Sequence, residues 1–137
     1  MKILAHGIDL VEFGRLERML DKHGRRMLDR VFTTREQADA DRVRNRIERL
    51  AGRFAAKEAV MKLVGTGWRD GVGWTDVEVV NNALGQPLVH ISGRIGELAE
   101  QKGIEQITIS ITHTDRFAIA SAVALAELTS TPDREGH

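Results

Sequence analysis

The 137-residue sequence contains no cysteine. That absence excludes disulfides, thiol nucleophiles and thiolate metal sites, and it suits a reducing compartment. Aromatic residues make up only 4% of the chain, so Leu, Ile, Val and Ala must fill most of a core drawn from a 42% hydrophobic fraction. No apolar run approaches the ~20 residues that a membrane-spanning helix needs. The opening stretch MKILAHGIDLVEF is interrupted by Asp9 and Glu12 too early for a secretory signal. Formal net charge is zero, which argues against a general nucleic-acid binder. These bounds predict one soluble, cytoplasmic domain with neither membrane nor nucleic acid as partner.

Patterning predicts the elements. KILAHGIDLVEF alternates as a first strand from Lys2 to near Glu12. GRLERMLDKHGRRMLDRVF reads as a helix turned at Gly24. TTREQ carries a capping box, Thr33 or Thr34 followed by Glu36 or Gln37. A long helix is expected from about Val43 to Val64. TDVEVVN and LVHIS are short strands around the turn NALGQP, and GRIGELAEQKG is a modest helix. QITISITHT and RFAIASAVAL form a tight hairpin at Asp115. Helices and strands do not alternate regularly, so the expected class is α+β, with an antiparallel sheet packed on one long central helix.

The stretch GRFAAKEAVMKLVGTG, Gly52 to Gly67, places charge where a core stripe belongs. Ile47, Ala51, Phe54 and Ala55 recur at helical spacing, and Glu58 and Lys62 continue the same line. One reading is an i,i+4 surface ion pair worth ~0.2–0.5 kcal/mol. The other is a pair at the mouth of a cleft, holding a metal and a phosphate, which avoids the desolvation cost of a buried pair. Asp9, near the end of the first strand, is either a turn residue or a second carboxylate beside Glu58 suited to Mg²⁺. The glycines of Gly65-Thr66-Gly67 suit a helix C-cap and also let backbone approach a phosphate, although the P-loop spacing is absent. His113 shares a strand side with Ile107, Ile109 and Ile111, and the remaining histidines show no zinc pattern. From Glu12 to Arg35, Arg15, Arg18, Lys22, Arg25, Arg26, Arg30 and Arg35 face only four acids. That excess is either a solvated face or a docking surface for an acidic partner.

Four stretches, GIDLVEFGRL, GRFAAKEAVMKLVGTG, NALGQP and SITHTD, occur in the order and separation of the holo-acyl-carrier-protein synthases, the small phosphopantetheinyl transferases. The chain resembles that family from about Lys2 to Leu128. The resemblance implies a transferase domain over residues 1–128 and a polar tail over 129–137. It implies transfer of 4′-phosphopantetheine from coenzyme A to a serine of apo acyl carrier protein, for fatty-acid or polyketide biosynthesis, with release of 3′,5′-ADP. By the same resemblance, Asp9 and Glu58 hold Mg²⁺, and Glu58, Lys62 and His113 are catalytic. Coenzyme A contacts fall to Arg53, Lys62, Gly65, Thr66, Gly67, Gly85, Gln86, Pro87, His113 and Thr114. The carrier docks on Arg15, Met19 and Arg26, with Arg25 as the alternative to Arg26 because the Gly24 turn leaves the register open. Family members of this length are homotrimers with each cleft between two subunits. Trp68 and Trp74 have no assigned role.

Overall fold

Alternation along the last strand explains how the core is built from so few aromatics. In the computed structural model, which describes residues 1–65 and 73–128, β5 (Phe117–Ala126) buries Ala118, Ala120, Ala122, Ala124 and Ala126 on one face. β5 pairs antiparallel with both β1 (Lys2–Glu12) and β4 (Gln106–His113), giving the order β1-β5-β4. Against the alanine face lies α3 (Arg46–Val64), whose own Ala51, Ala55 and Ala59 are fully buried. Small residues on both sides bring helix and sheet close together. Gly7 carries this furthest: a Cβ there would collide with the Ala59 carbonyl oxygen.

The remaining elements wrap α3. Helix α1 (Phe13–Val31) contains Gly24 at φ 59°, a left-handed break that splits it into two segments. Helix α2 (Thr34–Asp41) opens with a complete capping box between Thr33 and Glu36. A single 3₁₀ turn, Trp74–Asp76, leads into β2 (Val77–Asn81), which pairs antiparallel with β3 (Pro87–Ile91). Helix α4 (Gly93–Gln101) follows, its first amides from Arg94 and Ile95 donating to the Asp76 carboxylate.

The α+β class and antiparallel pairing agree with the sequence expectation. Two details differ. The strands divide into a three-stranded and a two-stranded sheet rather than one. Helix α3 begins at Arg46, where Asn45 accepts from the Glu48 amide, not at Val43.

Candidate functional site

Gly7 lets β1 lie against α3, and two residues later Asp9 meets the helix. The carboxyls of Asp9 and Glu58 share a hydrogen bond, and Lys62 Nζ donates to Asp9 Oδ1 at 2.7 Å and to the Ile8 carbonyl at 3.1 Å. Burial, followed by the hydrogen bond and charge of Asp9, pushes the half-buried Glu58 carboxyl up to about 8. At neutral pH and without a cation the Glu58 carboxyl therefore keeps its proton. The hydrogen bond to Asp9 holds the Lys62 ammonium above its ordinary value.

The Lys62 expectation needs correction. Its side chain is 57% exposed and pairs with Asp9, so it neither continues the buried stripe nor pairs chiefly with Glu58. The stripe of Ala51, Phe54 and Ala55 emerges from the core at half-buried Glu58 and is in solvent by Lys62. The two buried cations of α3 are Arg53 and Lys57.

A second group lies elsewhere on α3. Arg53, Arg49, His113, Gly85 and Pro87 line a pocket of about 360 Å³. Arg49 Nη1 and Arg53 Nη2 donate to the same Asp39 oxygen at 2.7 and 3.1 Å, and Arg53 also donates to Asn81 Oδ1 at 3.2 Å. Burial raises the Asp39 carboxyl, but the Arg49 hydrogen bond and the charges of Arg49 and Arg53 outweigh it and hold it below the usual range. Arg53 is only 4% exposed, and among the described residues its Nε has no hydrogen-bond partner. A buried, unsatisfied guanidinium nitrogen beside a pocket is an anion-binding feature. His113 Nε2 lies 3.3 Å from Glu48 Oε1.

A third group borders α1. Met19, Met27, Phe54 and Trp74 line a groove of about 840 Å³ together with His23, Arg26 and Arg30. Trp74 is buried, its ring 5.0 Å from that of Phe54. Arg26 lines the groove beside Met19, whereas Arg25 turns to Asp29 and Gln37. Arg15 is exposed and close enough to Glu58 to lower its carboxyl against the larger effects above.

The single chain therefore keeps the Asp9–Glu58–Lys62 cluster apart from the Arg53–His113 pocket. Arg53 and Glu58 are five positions apart, or ~140° around the helix axis, and no member of the cluster lines the pocket. Gly65 is the left-handed C-cap of α3 at φ 86°, with its amide donating to Met61. Thr66, Gly67 and Trp68 lie outside the described residues. Gln86 and Thr114 do not line the pocket. The Gln86 amide donates to Asn82 Oδ1, and Thr114 Oγ1 accepts from the Arg116 and Phe117 amides, so both hold turns. Arg49, Asp39 and Lys57 carried no signal in the sequence, and Glu36 read only as a helix cap, because the ion pairs that join Arg49 and Arg53 to Asp39 and Lys57 to Glu36 span 10 or more residues. Among the described residues no group of three or more His, Asp or Glu is arranged to hold a metal ion.

The family model described as the 4′-phosphopantetheinyl transferase superfamily matches residues 5–122. The chain belongs to that superfamily. It is 42% identical over 121 residues to a holo-[acyl-carrier-protein] synthase of Solibacter usitatus, covering 88% of this chain and 97% of that one. Among solved structures it resembles the holo-[acyl-carrier-protein] synthase of Neisseria meningitidis with a TM-score of 0.83 and 31% identity, covering 90% and 99% of the two chains. The Bacillus anthracis holo-(acyl-carrier-protein) synthase, solved in complex with CoA (3′,5′-ADP), gives a TM-score of 0.74 and 35% identity, with 91% and 98% covered.

Proposed function

We propose that residues 1–128 form a holo-acyl-carrier-protein synthase. It moves 4′-phosphopantetheine from coenzyme A to a serine of apo acyl carrier protein, for fatty-acid or polyketide biosynthesis. The serine Oγ bonds to the pantetheine-side phosphorus and releases its proton to solvent, the pyrophosphate P–O bond breaks, and 3′,5′-ADP leaves with the bridging oxygen. The observation that carries this reading is the partition of charge on α3: a carboxylate pair with an exposed lysine on one side, and a buried guanidinium beside a pocket on the other.

Asp9 and Glu58 offer oxygen donors only, and the upward shift that burial and Asp9 impose on Glu58 marks a place where positive charge is favourable, which suits Mg²⁺. Mg²⁺ bound there neutralises pyrophosphate charge. Lys62, already at Asp9, reaches the pyrophosphate and stabilises the charge that grows on the leaving phosphate. Arg53 and His113 hold the nucleotide phosphates, with Gly85 and Pro87 as the pocket wall beside the adenine. Gln86 and Thr114 support that wall from their turns, and Gly65, which caps α3, contacts coenzyme A together with Thr66 and Gly67. The basic-rimmed groove of Met19 and Arg26, with Arg15 toward Glu58, receives the acidic surface of the carrier.

The two half-sites meet when copies of the chain assemble. In a homotrimer, Asp9, Glu58 and Lys62 of one protomer face Arg53 and His113 of the next. Exposed Ile3, Ile8 and Leu10 on β1, at 68%, 55% and 52%, give the chain an apolar edge suited to such contact. Release of 3′,5′-ADP from coenzyme A tests the reaction. It should require the protein, Mg²⁺ and apo carrier together, and release without carrier would contradict transfer to a protein serine.

A further inference from the structure

Lys57 is the residue before Glu58, and it is fully buried. Its Nζ lies 2.8 Å from Glu36 Oε1, and it donates to the Trp74 carbonyl at 3.1 Å and to the Val77 carbonyl. Glu36 is equally buried and equally occupied: it accepts from the Thr33 amide at 2.8 Å and from the Val79 amide at 2.7 Å. One ion pair thus joins α3, the start of α2, the 3₁₀ turn and β2. Burying two charges is expensive, and well-packed apolar residues would stabilise the same contact as well or better. Stability alone therefore gives a weak reason for the pair.

Its position supplies a better one. Arg53 is oriented by two acceptors, Asp39 and Asn81. Asp39 lies on α2, one turn after Glu36. Asn81 lies on β2, two residues after Val79. Both partners of Arg53 therefore sit on elements that the Lys57–Glu36 pair anchors to α3. We infer that Lys57 and Glu36 are positioning residues: they set α2 and β2 on α3 so that Asp39 and Asn81 aim the Arg53 guanidinium into the pocket. The inference rests on the reading of that pocket as the coenzyme A nucleotide site.

The test uses the full chain carrying both Lys57→Met and Glu36→Gln. The double change leaves no buried charge unpaired, and the glutamine keeps an oxygen for the Val79 amide. Three quantities are compared with wild type: amide exchange in β2 against β5 without ligand, Kd for 3′,5′-ADP, and kcat against KM for coenzyme A. The expected result is faster exchange in β2 with β5 unchanged, and Kd and KM raised about tenfold with kcat within about twofold. Unchanged exchange in β2, or faster exchange with wild-type Kd in a protein that binds 3′,5′-ADP, would overturn the inference. If exchange in β2 rises but wild-type protein itself does not bind 3′,5′-ADP, the anchoring stands and the nucleotide reading fails. Should the double variant not fold, Glu36→Gln alone, which leaves Lys57 its two carbonyl acceptors, carries the same comparison.

Discussion

Lys62 Nζ and Asp9 Oδ1 are 2.7 Å apart, an exposed contact from α3 to β1 beside the half-buried Glu58. Because the lysine is largely in solvent, this pair contributes little to stability, on the order of 0–1 kcal/mol. Lys62→Met should leave the ligand-free thermal midpoint nearly unchanged. Turnover at saturating coenzyme A should fall by roughly 10²–10³, the cost of one preorganised contact to transition-state charge. A large drop in midpoint with near-normal turnover would assign Lys62 to structure alone.

Glu58 links pH to stability. Its folded carboxyl is pushed from 4.5 up to about 8, so between those values the folded state binds more proton than the unfolded state. Stability from this group is therefore full below the lower value and is lost as pH rises through the upper one. The metal-free midpoint should fall across that window, and Glu58→Gln should flatten the slope. Added Mg²⁺ should raise the midpoint more at pH 8 than at pH 5. A Mg²⁺ response that survives in Asp9→Asn and Glu58→Gln would place the cation elsewhere.

Half-sites on separate faces of α3 predict complementation. Glu58→Gln and Arg53→Gln should each be nearly inactive; in the second, Asp39 keeps Arg42 and Arg49. Co-assembled in equal amounts, they should recover about a quarter of wild-type activity if each site draws its halves from two protomers of a closed ring. No recovery in verified mixed oligomers would mean that each site is completed within one chain.

The basic groove predicts a salt-sensitive carrier interaction. Arg15→Glu and Arg26→Glu should raise KM for the carrier and leave KM for coenzyme A unchanged. Wild-type carrier affinity should weaken with salt, since exposed charges are screened beyond ~10 Å at 0.1 M. Affinity indifferent to both salt and charge reversal would move the docking surface.

Local signals in the sequence were dependable where the chemistry is local. The Thr33–Glu36 capping box, the left-handed Gly65 cap and the hairpin at Asp115 all depend on neighbours within a few residues. The periodicity of α3 correctly drew attention to Glu58. It misplaced Lys62 because a helical stripe does not reveal where the helix leaves its sheet. Lys57 was passed over for a related reason. Within KEAVMK nothing local distinguishes the lysine that meets a buried glutamate from the one in solvent. Glu36 reads as a capping residue and is one, yet its carboxylate also serves Lys57 and Val79 across 21 and 43 positions. The division into two sheets was equally hidden, since alternation marks a strand without naming its partner.

Mass spectrometry of an apo acyl carrier protein incubated with this protein, coenzyme A and Mg²⁺ tests the central claim most directly. The account predicts a mass gain of one phosphopantetheine group, located on a single serine, lost when Mg²⁺ is chelated and lost with Glu58→Gln. An unmodified carrier, repeated across several fatty-acid and polyketide carriers with folded protein, would contradict it.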